Sequence, residues 1–284
     1  MGLLDVTGGE KFWVKYHFKT DQGIRNFTDA EAKAMVAEDT DFHLRDLSHS
    51  IARGEFPSWT VQVQVMPFEA AADYRFNPFD LTKVWPHSDY PPINIGRVTL
   101  NRNPENYFAE VEQAAFEPAN LVPGVAASPD KILQGRLFSY PDTHRYRIGP
   151  NYLQLPVNQP KVPVHSYNKD GAMRYQNPGD PVYAPNSVGG PVADGSLFEG
   201  ESYQVSGDII RNAYTLRRDD DFGQPRALWD SVLSDTDRDN LVSNIVGHAS
   251  AKEVTPEMTV RVVEYWTNVH PDLGAGVAKG LDMG

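Results

Sequence analysis

The chain has 284 residues, of which 40% are hydrophobic and 23% charged, and its net charge is −12 at pH 7. This composition is typical of a globular protein with one large domain or two smaller ones. The negative charge disfavours phosphate backbones and anionic lipid, so we expect neither a nucleic acid nor a membrane partner. The chain has no cysteine, which excludes disulfides and thiol chemistry, and any redox chemistry would need a bound cofactor. No long apolar run and no signal-peptide pattern occur, so we expect a cytoplasmic protein.

The N-terminal part of the sequence predicts a leader followed by a strand. Residues 1–9 have no periodic pattern and predict a short, loose leader. From residue 11 the sequence alternates, which predicts a half-buried strand. Apolar residues occupy one face, and the other face carries groups of functional type: Phe12, Val14, Tyr16 and Phe18 against Trp13, Lys15, His17 and Lys19.

Two helices and two further strands are predicted next. Thr28 caps a short helix, and a second helix is predicted over residues 42–51. Alternation over residues 59–65 predicts a strand, and residues 93–100 predict another. The apolar parity changes at Gly96, which predicts a β-bulge that lets both halves of this strand face the core.

After Arg102 the sequence predicts helices and no further strand. One helix is predicted to begin at Asn103-Pro104, and another at residues 128–130, where Ser128 would be the N-cap and Pro129 the first helical residue. Residues 149–200 are rich in Pro, Gly, Asn and Ser, and they are far longer than ordinary connections of about 4–6 residues. We interpret this segment as functional, wrapped over something, or disordered.

The last part of the sequence returns to amphipathic helices. One apolar stripe contains Leu241, Ile245 and His248. A second helix follows the cap Thr255-Pro256, with a stripe made of Val262, Tyr265, Trp266 and Val269.

Residues 136–147, RLFSYPDTHRYR, place one tyrosine among cations on a single predicted helical face. Arg136 precedes Tyr140 by one turn, His144 follows it by one turn, and Arg147 lies about one turn further on. Cations within roughly 4–6 Å of a phenol favour the phenolate. Tyrosinate is one of the few axial ligands known for haem iron. The alternative is a half-buried tyrosine at an Arg-rich helix end.

This stretch resembles the proximal haem motif of the monofunctional haem catalases, RxFxYxDxxxxR. The residues in register are Arg136, Phe138, Tyr140, Asp142 and Arg147. The resemblance continues outside the motif and covers nearly the whole chain from about residue 10. It is carried by residues 18–27, 76–87, 100–118, 149–158 and 170–177.

The resemblance implies an α+β fold in four parts. Residues 1–9 are the leader, and residues 10–102 form a partial antiparallel β-barrel made of the later strands of a catalase-type barrel. Residues 103–200 contain the haem-proximal helix and a long wrapping segment. Residues 201–284 form a C-terminal helical domain.

Five residues are assigned to haem b by the resemblance: Arg136, Tyr140, His144, Arg147 and Phe116. Tyr140 would be the iron ligand, and Arg136 would keep it ionised. Arg147 and His144 match positions on the proximal side, near a haem propionate. The alternatives are an Arg147–Asp142 ion pair and, for Phe116, an ordinary core position.

A second group matches positions that bind NADPH in some catalases: His17, Lys19, Trp85 and His87. Lys19 would meet a phosphate, the two histidines would add donors, and Trp85 would stack. Solvated polar groups on a strand face are the alternative. The remaining histidines show no metal-ligand spacing: His43, His49, His165, His248 and His270.

Peroxide disproportionation in the family also uses a distal His, in a Val-His-Ala-x-Gly type segment, and a distal Asn. Neither segment occurs in this sequence. We therefore expect a fragment of a catalase with little activity alone, whose unpaired strand edge and exposed inward side chains favour association. The alternatives are one piece of a split enzyme and a decayed paralogue that acts as a non-enzymatic haem-binding or subunit-interaction protein. The implied partners are hydrogen peroxide and either a homo-oligomer, a tetramer in the family, or a complementary catalase chain.

Overall fold

The computed structural model describes residues 2–6, 10–122, 124–162, 167, 170–172, 174, 181–192 and 220–283. The chain divides into two compact units. Unit 1 comprises Met1–Gln22 and Leu47–Ser206, and unit 2 comprises Gly23–Asp46 and Gly207–Gly284. The predicted boundary at 200 and most of the predicted wrapping segment beyond residue 162 lie outside the described residues. In the described part of the chain, no helix is long and apolar enough to cross a membrane.

Unit 1 is built on an antiparallel sheet. Its strands are β1 (Gly2–Val6), β2 (Glu10–Thr20), β3 (Ser58–Pro67), β4 (Ile93–Thr99) and β5 (Val125–Ala127). They are hydrogen-bonded in the order β4-β3-β2-β1-β5. The mixed helix and strand content that the sequence predicts is confirmed. The described strands form an open sheet, so a barrel is not confirmed.

Strands occur in two places where the sequence predicts none. Gly2–Val6, within the predicted leader, forms β1 and pairs with β2. Val125–Ala127 forms β5 on the other side of β1, so the prediction of no strand after Arg102 is wrong. Both strands are too short to show an alternating pattern. Long-range pairing forms them, and residue preference alone does not predict such pairing.

The predicted bulge in β4 is confirmed. Val61 of β3 pairs with Gly96, and the next residue, Gln62, pairs with Asn94, so Ile95 is the extra residue. The further expectation, that both halves of this strand face a core, is wrong for this chain. Every residue of β4 is exposed, and the side chain of Ile93 is 53% accessible.

Burial along β2 does not follow the polarity of its two faces. The Trp13 face is covered by residues 68–90, and the Trp13 Nε1–H donates to the Phe68 carbonyl at 3.0 Å. The core on this side consists of Trp13, Met66, Ala71, Phe79 and Trp85. On the apolar face, Val14 is fully buried, whereas Tyr16 and Phe18 are 46% and 61% exposed. The position of the covering 68–90 segment, and not strand polarity alone, therefore decides which residues of β2 are buried.

The described helices are α1 (Asp29–Glu38), α2 (Phe42–Ala52), α3 (Lys131–Arg147), α4 (Gly223–Ser231), α5 (Asp235–Ala249), α6 (Pro256–Val269) and α7 (Pro271–Gly280). The predicted N-cap of α1 is confirmed, because Thr28 forms a capping box with Glu31. Thr255 caps α6 as predicted.

The two helices predicted between residues 103 and 147 begin later than expected. The first is a single π-helical turn, Phe108–Glu112. The second, α3, has Asp130 as its N-cap, because the Asp130 carboxylate accepts the backbone N–H of Leu133 at 2.7 Å. Ser128 is therefore not the cap, and Pro129 precedes the helix.

In unit 2, helices α4 to α7 surround a small apolar core of Trp229, Val269, Leu273 and Val277. Helices α6 and α7 approach closely at Gly274. A Cβ at this position would lie 2.8 Å from Thr267 Cα, and that backbone atom has little room to move.

We expect Gly274→Ala to destabilise unit 2 by about 1–3 kcal/mol, since the added methyl forces the two helices apart. Gly247→Ala in α5 is the matched control, because a Cβ there meets nothing within 4 Å. The control should stabilise the helix by about 0.5–1 kcal/mol. Urea unfolding of each variant measures the difference, and equal stability of the two variants would contradict the expectation.

Candidate functional site

The candidate site lies on one face of α3. Arg136, Tyr140, His144 and Arg147 follow each other at helical spacing, so they share that face. The Tyr140 ring is 36% exposed, and it makes an edge contact with the His144 ring at a centroid distance of 6.3 Å. The helix therefore presents a phenol that is partly accessible and supported from one side by an imidazole.

His144 is buried and uses both ring nitrogens. Its Nε2–H donates to the Phe116 carbonyl at 3.1 Å, and its Nδ1 accepts from Arg147 Nη2 at 3.3 Å. A neutral imidazole with its proton on Nε2 satisfies both contacts. His144 thus joins Tyr140 to the segment that carries Phe116.

Arg147 acts on the backbone of the same segment. Its guanidinium donates to the carbonyl of Glu112 and, at 2.7 Å, to that of Ala114. Within the described residues no ion pair joins Arg147 to Asp142, so the predicted alternative of an Arg–Asp pair is wrong. Its Nε–H and one Nη1–H remain without a partner in that same part of the chain.

Two further residues of this network are not predicted by the sequence. The Asn158 carboxamide accepts the Ala115 N–H at 2.8 Å and donates to the carbonyls of Gln113 and Tyr152 at 2.8 and 3.0 Å. The buried Tyr152 hydroxyl donates to the Glu117 carboxylate, and burial, with this hydrogen bond, raises the pKa of Tyr152 to about 12. Both residues lie in the segment 149–158, which resembles the family but to which the resemblance assigned no functional role.

Phe116 and Arg136 are the most open residues of the predicted set. The Phe116 side chain is 85% exposed although its backbone is held, so it is not a core residue in this chain. Arg136 is exposed, and among the described residues no hydrogen bond joins it to Tyr140. The structure thus brings Tyr140, His144 and Arg147 together and leaves Arg136 and Phe116 facing outward.

The second predicted group lies on and beside β2. His17 Nε2 is 2.9 Å from Gln64 Oε1. Burial lowers the pKa of His17, the hydrogen bond with Gln64 raises it, and the nearby charges of Lys19 and His87 lower it further. Lys19 and His87 thus act electrostatically on His17.

Trp85 does not join this group as predicted. Its side chain is only 2% exposed, and its Nε1–H donates to the Pro78 carbonyl at 3.1 Å. The ammonium of Lys15 lies 5.0 Å from the centre of its ring. A ligand cannot stack on a ring that is already covered, so the expectation of a stacking Trp85 is corrected to a core role.

Lys15 gives a measurable pH dependence. Burial lowers its pKa to about 8, against the raising effects of Asp130 and Asp80. The unfolded chain keeps this proton to a higher pH than the folded chain, so stability rises with pH once the pH passes 8. We expect the free energy of unfolding of unit 1 to increase between pH 8 and 10. Lys15→Met should remove this slope, and an unchanged slope in urea titrations would contradict the assignment.

Two of the other histidines have local roles in the structure. His43 contacts the rings of Phe27 and Phe42, and His270 caps α7 through the Asp272 N–H at 3.1 Å. His165 lies outside the described residues. In the part that is described, no group of His, Asp and Glu could hold a metal ion.

Comparison with known proteins gives the context of this site. The family model described as Catalase matches residues 5–190. The chain belongs to the catalase family. A second family model, Catalase-related immune-responsive, matches residues 215–281. The first range contains β2 to β5 and α1 to α3, and the second contains α4 to α7.

Catalases from different kinds of organism are similar to this chain. The catalase of Methanosarcina barkeri is 52% identical over 278 residues, which are 97% of this chain and 54% of that protein. The catalase of Rattus norvegicus is 50% identical over 97% of this chain and 52% of its own length. The solved structure of a bacterial catalase superposes with a TM-score of 0.87 at 41% identity and covers 99% of this chain and 58% of that one. The chain thus spans about half the length of the curated relatives it matches.

Proposed function

We propose that this chain carries the tyrosine side of a haem site and acts in the disproportionation of hydrogen peroxide to water and oxygen. The observation that carries the proposal is the α3 face, where a partly exposed Tyr140 phenol is supported by a neutral His144. Membership of the catalase family supports the same reaction.

The residues present fit a haem on this side. An apolar ring that is 85% exposed on a fixed backbone, as in Phe116, is a surface that a flat apolar group would cover. Phenolate oxygen is an accepted ligand of ferric iron in haem proteins. The Nε–H of Arg147, which has no partner among the described residues, and the exposed guanidinium of Arg136 provide donors for propionate carboxylates.

The chain's own residues hold the geometry in this proposal. Tyr140 would hold the iron through its phenolic oxygen, and Arg136, one turn away on the same helix, would supply the positive charge that favours a phenolate. His144 limits the tilt of the phenol ring by its edge contact. When bound, haem supplies the iron that exchanges electrons with peroxide.

We propose that the chain alone has little activity. Its sequence lacks the Val-His-Ala-x-Gly segment, which carries the distal His in the family. General acid–base help of this type contributes typically 10²–10⁴-fold. The proposed substrate is hydrogen peroxide. The proposed protein partners are further copies of this chain in a homo-oligomer, or a complementary catalase chain. We propose that the strands of the open sheet correspond to the later strands of a catalase-type barrel.

The second candidate is a non-enzymatic haem-binding or subunit-interaction protein. The exposed apolar face of the sheet favours it, because Tyr16, Phe18 and Ile93 offer a surface that a second chain could cover. Co-purification of the chain with a full-length catalase would support this candidate.

We propose NADPH as a second ligand, bound by the predicted group without the buried Trp85. His17 and Lys19 lie two residues apart on β2, the charges of Lys19 and His87 act on His17, and basic side chains of this kind suit a phosphate. Titration with NADPH, followed by nicotinamide fluorescence, tests the proposal, with Lys19→Gln as the variant that should bind more weakly.

A titration of the purified chain with ferric protoporphyrin IX tests the proposed function. We expect saturable binding of one haem per chain and an oxygen-evolution rate at least about tenfold below that of an intact catalase. A rate within tenfold would contradict the proposed low activity. Absence of saturable binding would contradict the haem site itself.

A further inference from the structure

The backbone of residues 112–116 is held at successive positions by side chains from elsewhere in the chain. The carbonyls of Glu112 and Ala114 accept from Arg147, and that of Phe116 accepts from His144. The two groups between them, Gln113 O and Ala115 N, are both bound by Asn158.

Asn158 has the one side chain in this network that satisfies a donor and an acceptor of the segment together. Its Oδ1 accepts from Ala115 at 2.8 Å, and its Nδ2 donates to Gln113 at 2.8 Å. The remaining Nδ2–H donates to Tyr152 O at 3.0 Å. The side chain therefore ties the segment to the 3-10 turn Tyr152–Gln154, which lies shortly after the end of α3 at Arg147.

The rest of this turn is also anchored. Its residue Tyr152 is buried and bound to Glu117, and the Asn158 N–H donates to the Leu155 carbonyl at 2.9 Å. The Asn158 side chain is thus anchored to the turn independently of its bonds to Gln113 and Ala115. A side chain fixed in this way can impose a position on the backbone it contacts.

We propose that Asn158 is a positioning residue for the haem surface, which sets the place of Phe116 relative to Tyr140. The proposal rests on the proposed haem function. Arg147 and His144 hold the carbonyls of Glu112, Ala114 and Phe116. Asn158 holds the two backbone groups between them, Gln113 O and Ala115 N, so it fixes the part of the segment that leads directly into Phe116.

The test compares Asn158→Ala and the isosteric Asn158→Asp with a matched control, Asn103→Ala. Asn103 is a comparable asparagine in the same unit, and its Nδ2 donates to the Ser48 carbonyl at 2.9 Å. Each purified full-length variant is titrated with ferric protoporphyrin IX, and the absorption maximum of the complex is recorded. Hydrogen exchange of the Ala115 amide is measured without haem.

Asn158→Ala should weaken haem binding by about tenfold, shift the absorption maximum, and speed exchange at Ala115. Asn158→Asp should weaken binding similarly, because its carboxylate faces the carbonyls of Gln113 and Tyr152. It should keep the Ala115 amide protected, since an acceptor remains. Asn103→Ala should lower stability and leave haem affinity and the spectrum unchanged.

The outcomes separate the two proposals. If the wild-type chain binds haem through Tyr140 and both Asn158 variants match Asn103→Ala, the positioning role is overturned and the proposed function stands. If the wild-type chain shows no Tyr140-dependent binding, both are overturned. If Asn158→Ala fails to fold, Asn158→Asp with normal binding and spectrum would still refute the positioning role.

Discussion

Tyr140→Phe should weaken binding of ferric protoporphyrin IX at least about 100-fold and remove the charge-transfer absorption of an iron–phenolate bond. The reason is local, because the substitution deletes the only atom of this side chain that could bind iron. The ring contact with His144, at 6.3 Å between centroids, is kept. The chain should therefore fold as before, and circular dichroism should show the same helix content.

Tyr146→Phe is the matched control for this experiment. Tyr146 lies on the same helix and is 82% exposed. The control should retain the affinity and the spectrum of the unmodified chain. If both variants bound haem as the wild type does, any haem bound to the chain would be held elsewhere, and the α3 face would not be its site.

Trp13→Ala should destabilise unit 1 by about 3–5 kcal/mol. Trp13 is 1% exposed, stacks on Phe68 at 5.1 Å and meets the edge of Phe79 at 4.6 Å. The substitution also removes the Nε1–H that donates to the Phe68 carbonyl. The substitution removes the largest side chain between the sheet and the 68–90 segment, so a cavity forms there.

Phe18→Ala on the same strand provides the control. Phe18 is 61% exposed, so its truncation should change the free energy of unfolding by no more than about 0.5 kcal/mol. Urea unfolding of the two variants is followed by far-UV circular dichroism, because the Trp13 substitution changes the tryptophan fluorescence. A loss at Phe18 that equals the loss at Trp13 would mean that the apolar face is covered in solution.

The regular elements with local signals are predictable from the sequence. Thr28 and Thr255 cap α1 and α6 as expected, and the change of apolar parity gave the bulge at Gly96. The elements that depend on distant pairing were missed. Strands β1 and β5 pair with each other across more than a hundred residues, and no local pattern in a three-residue strand indicates this pairing.

The site follows the same division. Helical spacing placed Tyr140, His144 and Arg147 on one face, and the structure confirms that they lie together. Their hydrogen-bond partners were not predictable, since backbone carbonyls carry no sequence signal. Trp85 was misjudged because an aromatic side chain can serve a core or a ligand equally well, and only burial distinguishes the two.

The division of the chain has a consequence for synthesis. Unit 2 combines Gly23–Asp46 with residues from Gly207 onward, so its two parts leave the ribosome far apart in time. The early part, including α1, is therefore exposed to solvent throughout the translation of unit 1. Since residues 23–46 are largely exposed in the structure as well, limited proteolysis should cut within this stretch both in a nascent chain stalled before residue 207 and in the released 284-residue chain.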